Sequence, residues 1–292
     1  MGGKTGRIAF QGTLGAYSHQ ACVEAFPGWQ GVPCVTFEGA IAAVREGRAE
    51  LAMLPVENST YGRVADIHHL LPESGLHIIA EHFLRVHINL LALPGVALDD
   101  VRTAMSHTVL LGQCRAFLRE RDIATRVGAD TAGSAEVVAR SGDRTLAALA
   151  SELAGEIYGL EVLARHIEDQ SHNTTRFLVM APEPRPAPVE GALTTFVFRV
   201  RNIPAALYKA MGGFATNGVN MTKLESYMLG GQFTATQFYA DIEGHPDEPR
   251  VRRALDELAY FTTQLQVLGV YPRHPFREAQ RAVRMEAEPH PA

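Results

Sequence analysis

The chain has 292 residues, 46% of them apolar, and a net charge of −5 at pH 7, enough length and apolar content for two compact domains of a soluble globular protein. Lys and Arg are interspersed with Asp and Glu and leave no basic stripe, which argues against nucleic acid as a partner. Cys22, Cys34 and Cys114 form an odd set without CxxC spacing, which argues against a disulfide framework or a structural zinc site and suits a reducing compartment.

Residues 1–7 lead straight into an apolar segment without an apolar leader, and no run approaches the ~18 apolar residues of a membrane span. A cytoplasmic location is expected. Residues 7–12 read as a strand that stops at Gly12, and residues 18–26 carry helical spacing at Ala21, Cys22, Ala25 and Phe26. Residues 33–37 and 38–48 repeat strand and helix, and residues 51–54 form a third, buried strand. That strand ends at Pro55-Val56-Glu57-Asn58-Ser59-Thr60, a dense polar set. The alternation predicts a mostly parallel sheet with helices on its faces, and such sheets bind ligands where strands end in polar loops.

Residues 77–81 and 86–93 are extended segments ended by Pro94-Gly95 and are expected to carry the chain into a second lobe. That lobe is predicted to hold a helix over 109–120, a strand over 124–127, and helices near 133–140 and 146–158. Asn173-Thr174-Thr175-Arg176-Phe177 then places an amide, a hydroxyl and a fixed cation at the start of the apolar run Phe177-Leu178-Val179-Met180. There the chain is expected to return to the first lobe. The result is a two-lobed α/β domain over 1–181, with lobe 1 at about 1–80 and 173–181, lobe 2 at about 81–172, and a cleft between them.

Residues 181–188 contain four prolines, which cannot continue helix or sheet, so 182–190 is predicted to be a linker. Beyond it, a strand over 192–200, a helix over 205–217, a strand over 220–229 turned at Gly230-Gly231, a strand over 232–242, a helix over 249–261 and a strand over 264–271 follow in order. That β-α-β-β-α-β order is the α+β ferredoxin-like arrangement, and it defines a second domain over 191–274. Residues 275–292 show no apolar period and are predicted to be a mobile tail.

Several motifs occur together in one order. Gly12-Thr13-Leu14-Gly15-Ala16-Tyr17-Ser18-His19 is a glycine-rich strand turn, and Pro55 to Ser59 is a Pro-x-Glu-Asn-Ser element. His107, Gln113-Cys114, Tyr158-Gly159-Leu160, Ile167-Glu168-Asp169 and Asn173 to Phe177 follow. In this order and spacing the chain resembles the monofunctional bacterial prephenate dehydratases with a C-terminal ACT regulatory domain. The resemblance spans nearly the whole length and implies a periplasmic-binding-protein-like catalytic fold. It also implies conversion of prephenate to phenylpyruvate, water and carbon dioxide, without metal or cofactor, with Thr175 essential. The expected catalytic residues are Thr175, Arg176 and Asn173, and the expected substrate-binding residues are Thr13, Ser18, Glu57, Asn58, Ser59, His107 and Phe177.

The chemistry fits these residue types. Departure of the ring carboxylate and hydroxyl is driven by aromatisation, so the site needs a donor for the leaving oxygen and a rigid cage for anions. Thr175 is assigned as that donor, with Asn58, Ser59 or a water behind it. Arg176 is expected to clamp the pyruvyl carboxylate. Twelve histidines make no HxxxH or HxxEH pattern, Gly12-x-x-Gly15 is not a dinucleotide loop, and Ser106-His107 has no GxSxG elbow around it.

In the C-terminal part, residues 199–208 and 217–226 resemble the two ACT elements that form a phenylalanine pocket at a dimer interface. The implied pocket residues are Asn202, Pro204, Ala205, Ala206, Leu207, Asn217, Asn220, Glu225 and Ser226. L-Phenylalanine is the expected feedback ligand, and a homodimer or homotetramer the expected assembly. The chain departs from the family where Ala205 replaces a glycine, and where Glu225-Ser226-Tyr227-Met228 replaces Glu-Ser-Arg-Pro. Arogenate dehydratase is the alternative enzyme, and a non-catalytic amino-acid sensor the alternative from another class.

Overall fold

The computed structural model describes residues 5–201, 203–228 and 235–287. Two compact units emerge, one built from residues up to Val64 and from Phe83 to Phe177, the other from Ala65 to His82 and from Leu178 onward.

In the first unit, β1 (Arg7–Gln11), α1 (Tyr17–Ala25), β2 (Gln30–Cys34), α2 (Phe37–Arg45), β3 (Leu51–Asn58) and β4 (Gly62–Arg63) come first in the chain. β1 lies parallel between β2 and β3. Ile8, Ala9, Phe10 and the run Leu51 to Leu54 are buried, as expected of strands covered on both faces. β3 runs past the expected stop at residue 54. Val56 is buried, and Glu57 and Asn58 pair with Arg63 and Gly62 of β4. The polar residues are therefore the last rungs of a strand, held at fixed positions.

Between this lobe and the next the chain forms α3 (Ala65–Leu70) and β5 (His77–Arg85). The second lobe then contains β6 (Asn89–Ala92), β7 (Thr103–Ser106), α4 (Thr108–Gln113), α5 (Arg115–Glu120), β8 (Ala124–Val127), α6 (Thr131–Ser141), β9 (Leu146–Ala150), α7 (Glu152–Tyr158) and β10 (Glu161–Ala164). Its five strands are ordered β10-β6-β9-β7-β8.

Two expectations change here. The stretch 146–158 is a strand followed by a helix. Ala147 and Leu149 pack into one core while Leu146, Ala148 and Ala150 pack into another, the period of two that a central strand imposes. Helix-favouring Leu and Ala composition is overridden by burial on both faces. The predicted helix over 109–120 is two helices broken at Cys114, where φ is −120° and ψ 25°. Asp169 caps the second of them, accepting from the backbone N–H of Arg115 at 3.1 Å and of Ala116 at 3.2 Å.

β11 (Thr174–Ala181) follows β3 in the first sheet order. No helix or strand lies between Ala181 and Ala192, the proline-rich stretch. The second unit continues with β12 (Ala192–Val200), α8 (Ala206–Thr216), β13 (Met221–Met228), β14 (Ala235–Glu243), α9 (Pro249–Phe261), β15 (Thr262–Pro272) and α10 (Pro275–Ala287). The strand order β13-β14-β12-β15 with two helices is the expected β-α-β-β-α-β domain. Phe196, Phe198, Phe214, Phe238, Ile242 and Leu258 form the core shared by sheet and helices.

The second unit also takes in residues 65–82, which the sequence assigned to the two-lobed domain over 1–181. Ile78 of β5 pairs with Gly269 of β15, Gln266 donates to the Pro72 carbonyl at 3.1 Å, and the buried His68 ring lies against Tyr227 and Tyr239. Residues 275–287, expected to be a tail, form α10. Arg277 grips the buried Glu81 carboxylate with two hydrogen bonds, at 2.7 and 2.9 Å, so a fork-to-fork ion pair supplies what the apolar pattern lacked. The expected turn at Gly230-Gly231 and the pocket residue Asn202 lie outside the described residues. Among the described residues no helix is long and apolar enough to cross a membrane.

Candidate active site

The end of β3 and the start of β11 meet in a corner of the first unit, and Asn58 organises it. Its Oδ1 accepts from the backbone N–H groups of Thr60 and Tyr61, at 2.9 and 3.0 Å. That fixes which end of the amide is which. Its Nδ2 then donates to Asn173 Oδ1 at 2.7 Å and to Thr175 Oγ1 at 3.0 Å. Two consequences follow by elimination. Asn173, itself buried, turns its own Nδ2 away from Asn58 as a further donor. Thr175 uses its oxygen as an acceptor, so its proton is left for a third group, and an O–H whose oxygen already accepts is a better donor.

Backbone bonds lock the corner. Ser59 N donates to the Thr174 carbonyl and Thr174 N to Ser59 Oγ, both at 2.9 Å, and Ser59 Oγ donates to the His172 carbonyl at 2.7 Å. The Asn173 carbonyl accepts from Val86 N at 2.9 Å and from Arg85 Nη1 at 3.0 Å. Arg85 is a site neighbour that the sequence reading missed, because it lies on a separate strand with no motif around it.

Arg176, expected as the carboxylate clamp, is held in an ion pair within the protein. Its side chain is 2% exposed and its Nη1 binds Glu57 Oε1 at 2.8 Å. The pair ties the first strand end to the second. Phe177 is buried in the core and anchors the strand behind Thr175.

Three other expected substrate-binding residues stand apart from the Asn58 network. His107 is exposed and turns its Nδ1 back to Val109 N at the start of α4. Thr13 Oγ1 lies 3.5 Å from Asp130 Oδ1, and Ser18 is buried on α1. The Gly12 to Ala16 turn bridges the two lobes instead. Ser151 Oγ donates to the Gly15 carbonyl at 2.6 Å and Tyr158 OH to the Leu14 carbonyl at 3.0 Å. Gly15 has φ 86°, and a Cβ there would stand 2.8 Å from Ala154 Cα, so only glycine fits.

A cavity of about 90 Å³ opens beside Asn173, lined by residues 60–61, 112–113 and 168–170. Thr60 Oγ1 and Gln113 Oε1 are buried without a partner among the described residues. The two carboxylates on its wall are engaged: Glu168 binds His87 Nδ1 at 3.1 Å and Ile88 N at 2.9 Å, and Asp169 caps α5. Burial, with Cys114 and Glu168 nearby, raises the Tyr17 hydroxyl well above its ordinary range, so it stays protonated and donates to the His87 carbonyl at 2.9 Å. Burial likewise pushes the Cys114 thiol up, leaving it a small hydrophobe. Among the described residues no group of three or more His, Cys, Asp or Glu side chains is placed to hold a metal.

In the second unit, Ala205 precedes α8 with φ 61°, a left-handed backbone, and Pro204, Ala206 and Leu207 flank it. Asn217 ends that helix and donates to Glu257 at 3.1 Å. Asn220 donates to Glu243 at 3.1 Å. On β13, Glu225 lies 3.5 Å from Lys223 Nζ, and Ser226 is exposed.

A two-lobed α/β body that gathers hydroxyl and amide donors at a strand end is the architecture of an enzyme for a small organic molecule. The chain belongs to the prephenate dehydratase family, a family of hydro-lyases, and its match covers residues 8–185. A bifunctional N-acyl-homoserine lactone acylase/prephenate dehydratase of Komagataeibacter europaeus is 56% identical, over 92% of this chain and 97% of that protein. The arogenate dehydratase/prephenate dehydratase 2 of Arabidopsis thaliana is 38% identical, over 91% of this chain and 72% of that protein. The crystal structure of a prephenate dehydratase from Arthrobacter aurescens in complex with L-Phe superposes with a TM-score of 0.82. It is 29% identical and covers 96% of this chain and 99% of that one.

Proposed function

We propose that the protein is a prephenate dehydratase in which Thr175 gives its hydrogen bond to the leaving oxygen. One observation carries the reading: Thr175 Oγ1 accepts from Asn58 Nδ2 at 3.0 Å, which leaves the hydroxyl proton without an acceptor among the described residues. As the bond from the ring to its carboxylate breaks, the electron pair enters the ring and the carbon–oxygen bond opposite breaks. The departing hydroxyl takes a proton and leaves as water, and the carboxylate leaves as carbon dioxide. Asn173 Nδ2 adds a second donor beside Thr175, and the Glu57–Arg176 pair keeps both strand ends in register.

The same reading makes residues 191–274 an ACT-type regulatory domain for L-phenylalanine. It also makes the protein a homo-oligomer and places it in the cytoplasm, where its three free cysteines would stay reduced. The L-Phe complex of the Arthrobacter aurescens relative supports the ligand.

Arogenate is the alternative substrate, supported by the plant relative. A second activity, hydrolysis of N-acyl-homoserine lactones, is supported by the similarity to the Komagataeibacter europaeus protein over almost its whole length. Turnover of prephenate, arogenate and an N-acyl-homoserine lactone by the purified chain, each with and without phenylalanine, tests these readings together. Phenylpyruvate formed from prephenate is the expected result. A protein that turns over only arogenate, or none of the three, removes the principal reading.

A further inference from the structure

The substrate of the proposed reaction is a dianion, and the arginine of the signature is already bound to Glu57. A site for two carboxylates needs a cation that is not neutralised by the protein. Six arginines of the first unit lie against a carboxylate: Arg7 with Glu50, Arg48 with Glu46, Arg121 with Glu120, Arg140 with Glu136, Arg165 with Glu152 and Arg176 with Glu57. Arg85 spends its Nη1 on the Asn173 carbonyl.

Arg115 has no ion-pair or side-chain hydrogen-bond partner among the described residues, and its guanidinium lies close to Gly112, a residue of the wall of the cavity beside Asn173. A Cβ built on Gly112, a residue of the cavity wall, would lie 3.7 Å from Arg115 Nη2 and 3.7 Å from the Tyr61 hydroxyl. We propose that Arg115 binds a substrate carboxylate at the mouth of this cavity and sets the preference for a dianionic substrate. This rests on the dehydratase reading.

Local structure prepares the position. The break at Cys114 starts a new helix at Arg115, and Asp169 holds the Arg115 backbone N–H at 3.1 Å. Asp169 and Glu168, the acids of the wall, accept from backbone N–H groups and from His87, and neither is paired with the guanidinium. Gln113 Oε1 is a buried acceptor waiting for a donor, and a substrate hydroxyl is one. A planar fork over an open rim, with neutral donors and acceptors deeper in, suits an anion entering carboxylate first.

Steady-state kinetics of the full chain on prephenate, comparing wild type, Arg115→Gln and Arg115→Lys, tests this. Arg115 is exposed, so both variants should fold. The expected result for Arg115→Gln is a KM raised roughly ten- to hundredfold with kcat within about threefold, the signature of lost binding, and partial recovery in Arg115→Lys. Added salt should raise the wild-type KM more steeply than that of Arg115→Gln. An unchanged KM in Arg115→Gln, a loss confined to kcat, or equal salt dependence overturns the assignment. Wild type inactive on prephenate would instead overturn the dehydratase reading on which it rests.

Discussion

The strand-end corner around Asn58 and the turn before α8 both stand out as motifs in the sequence, yet they are held in opposite ways. At the corner, Asn58 is fixed by two backbone donors and in turn fixes Asn173 and Thr175, so each polar atom is determined by another. At the turn, Ala205 occupies a left-handed conformation at the N-terminus of α8 without a side-chain cap. For a residue with a Cβ that conformation costs about 1–2 kcal/mol. A group that must aim a proton is over-determined by hydrogen bonds. A turn whose task is to bracket a helix tolerates strain that surrounding packing has to offset.

The sharpest way to break this comparison is at the hydroxyl. Thr175→Ala should lower kcat by about 10² to 10³ with little change in KM, the usual loss for one donor used in the transition state. Thr175→Ser should restore much of it, since the oxygen stays within reach of Asn58. Full turnover in Thr175→Ala would remove the over-determined corner from the chemistry. A smaller effect, on stability, is expected from Glu57→Gln. It takes the Glu57 carboxylate away from the Arg176 guanidinium, 2% exposed, while Glu57 itself is 32% exposed and part of the field is screened by solvent. We expect a loss of about 2 kcal/mol in urea unfolding, below the 3–5 typical of fully buried pairs. An unfolding midpoint equal to wild type would show that the pair does not hold the strand ends.

Much of this was legible in the sequence, and the failures have physical causes. The strand over Ala192–Val200 stood out as a β-branched and aromatic run, and the helix over Pro249–Phe261 followed in the order of its fold. The second-lobe strand Leu146–Ala150 read as helix, since Leu and Ala favour helices and only two-sided burial reveals a strand. The tail became α10 because one arginine found a buried glutamate far away in sequence, a contact no local pattern announces. At the site, Asn58, Ser59, Asn173 and Thr175 were found as motif members and do assemble. The ion pair of Arg176 with Glu57 was not foreseen, because a fixed cation in a signature invites a ligand and Glu57 lies far away in sequence on the neighbouring strand. Arg115 was hidden by the assumption of one continuous helix through Cys114.

Replacing Ala205 by glycine sharpens the second half of the comparison. Glycine adopts φ 61° without steric cost, though it also gives the unfolded chain more freedom, so the net gain should be about 0.5–1 kcal/mol. A raised urea midpoint with unchanged slope is the expected reading. If Ala205→Gly is neutral or destabilising, the Ala205 methyl packs well enough to outweigh the backbone, and the turn is not strained in any useful sense.

The smallest expected effect concerns pH and the Gly12 to Ala16 turn that bridges the lobes. His19 stacks on Phe10 at 5.1 Å and its Nδ1 accepts from the Gly15 backbone N–H at 3.0 Å, so the ring must be neutral at that nitrogen. Burial lowers its pKa below the ordinary value of 6.5, which means the unfolded chain binds a proton more readily than the folded one. Stability from this group is therefore complete above about pH 6.5 and is lost as pH falls through that value toward the lower folded one. The urea midpoints of wild type and His19→Gln, measured between about pH 5 and pH 8, should differ most at the alkaline end and converge on acidification. A constant gap would mean that the turn is held by Ser151 and Tyr158 alone. A gap that widens in acid would mean that protonated His19 finds a carboxylate in the folded protein and that its contact with Gly15 is incidental.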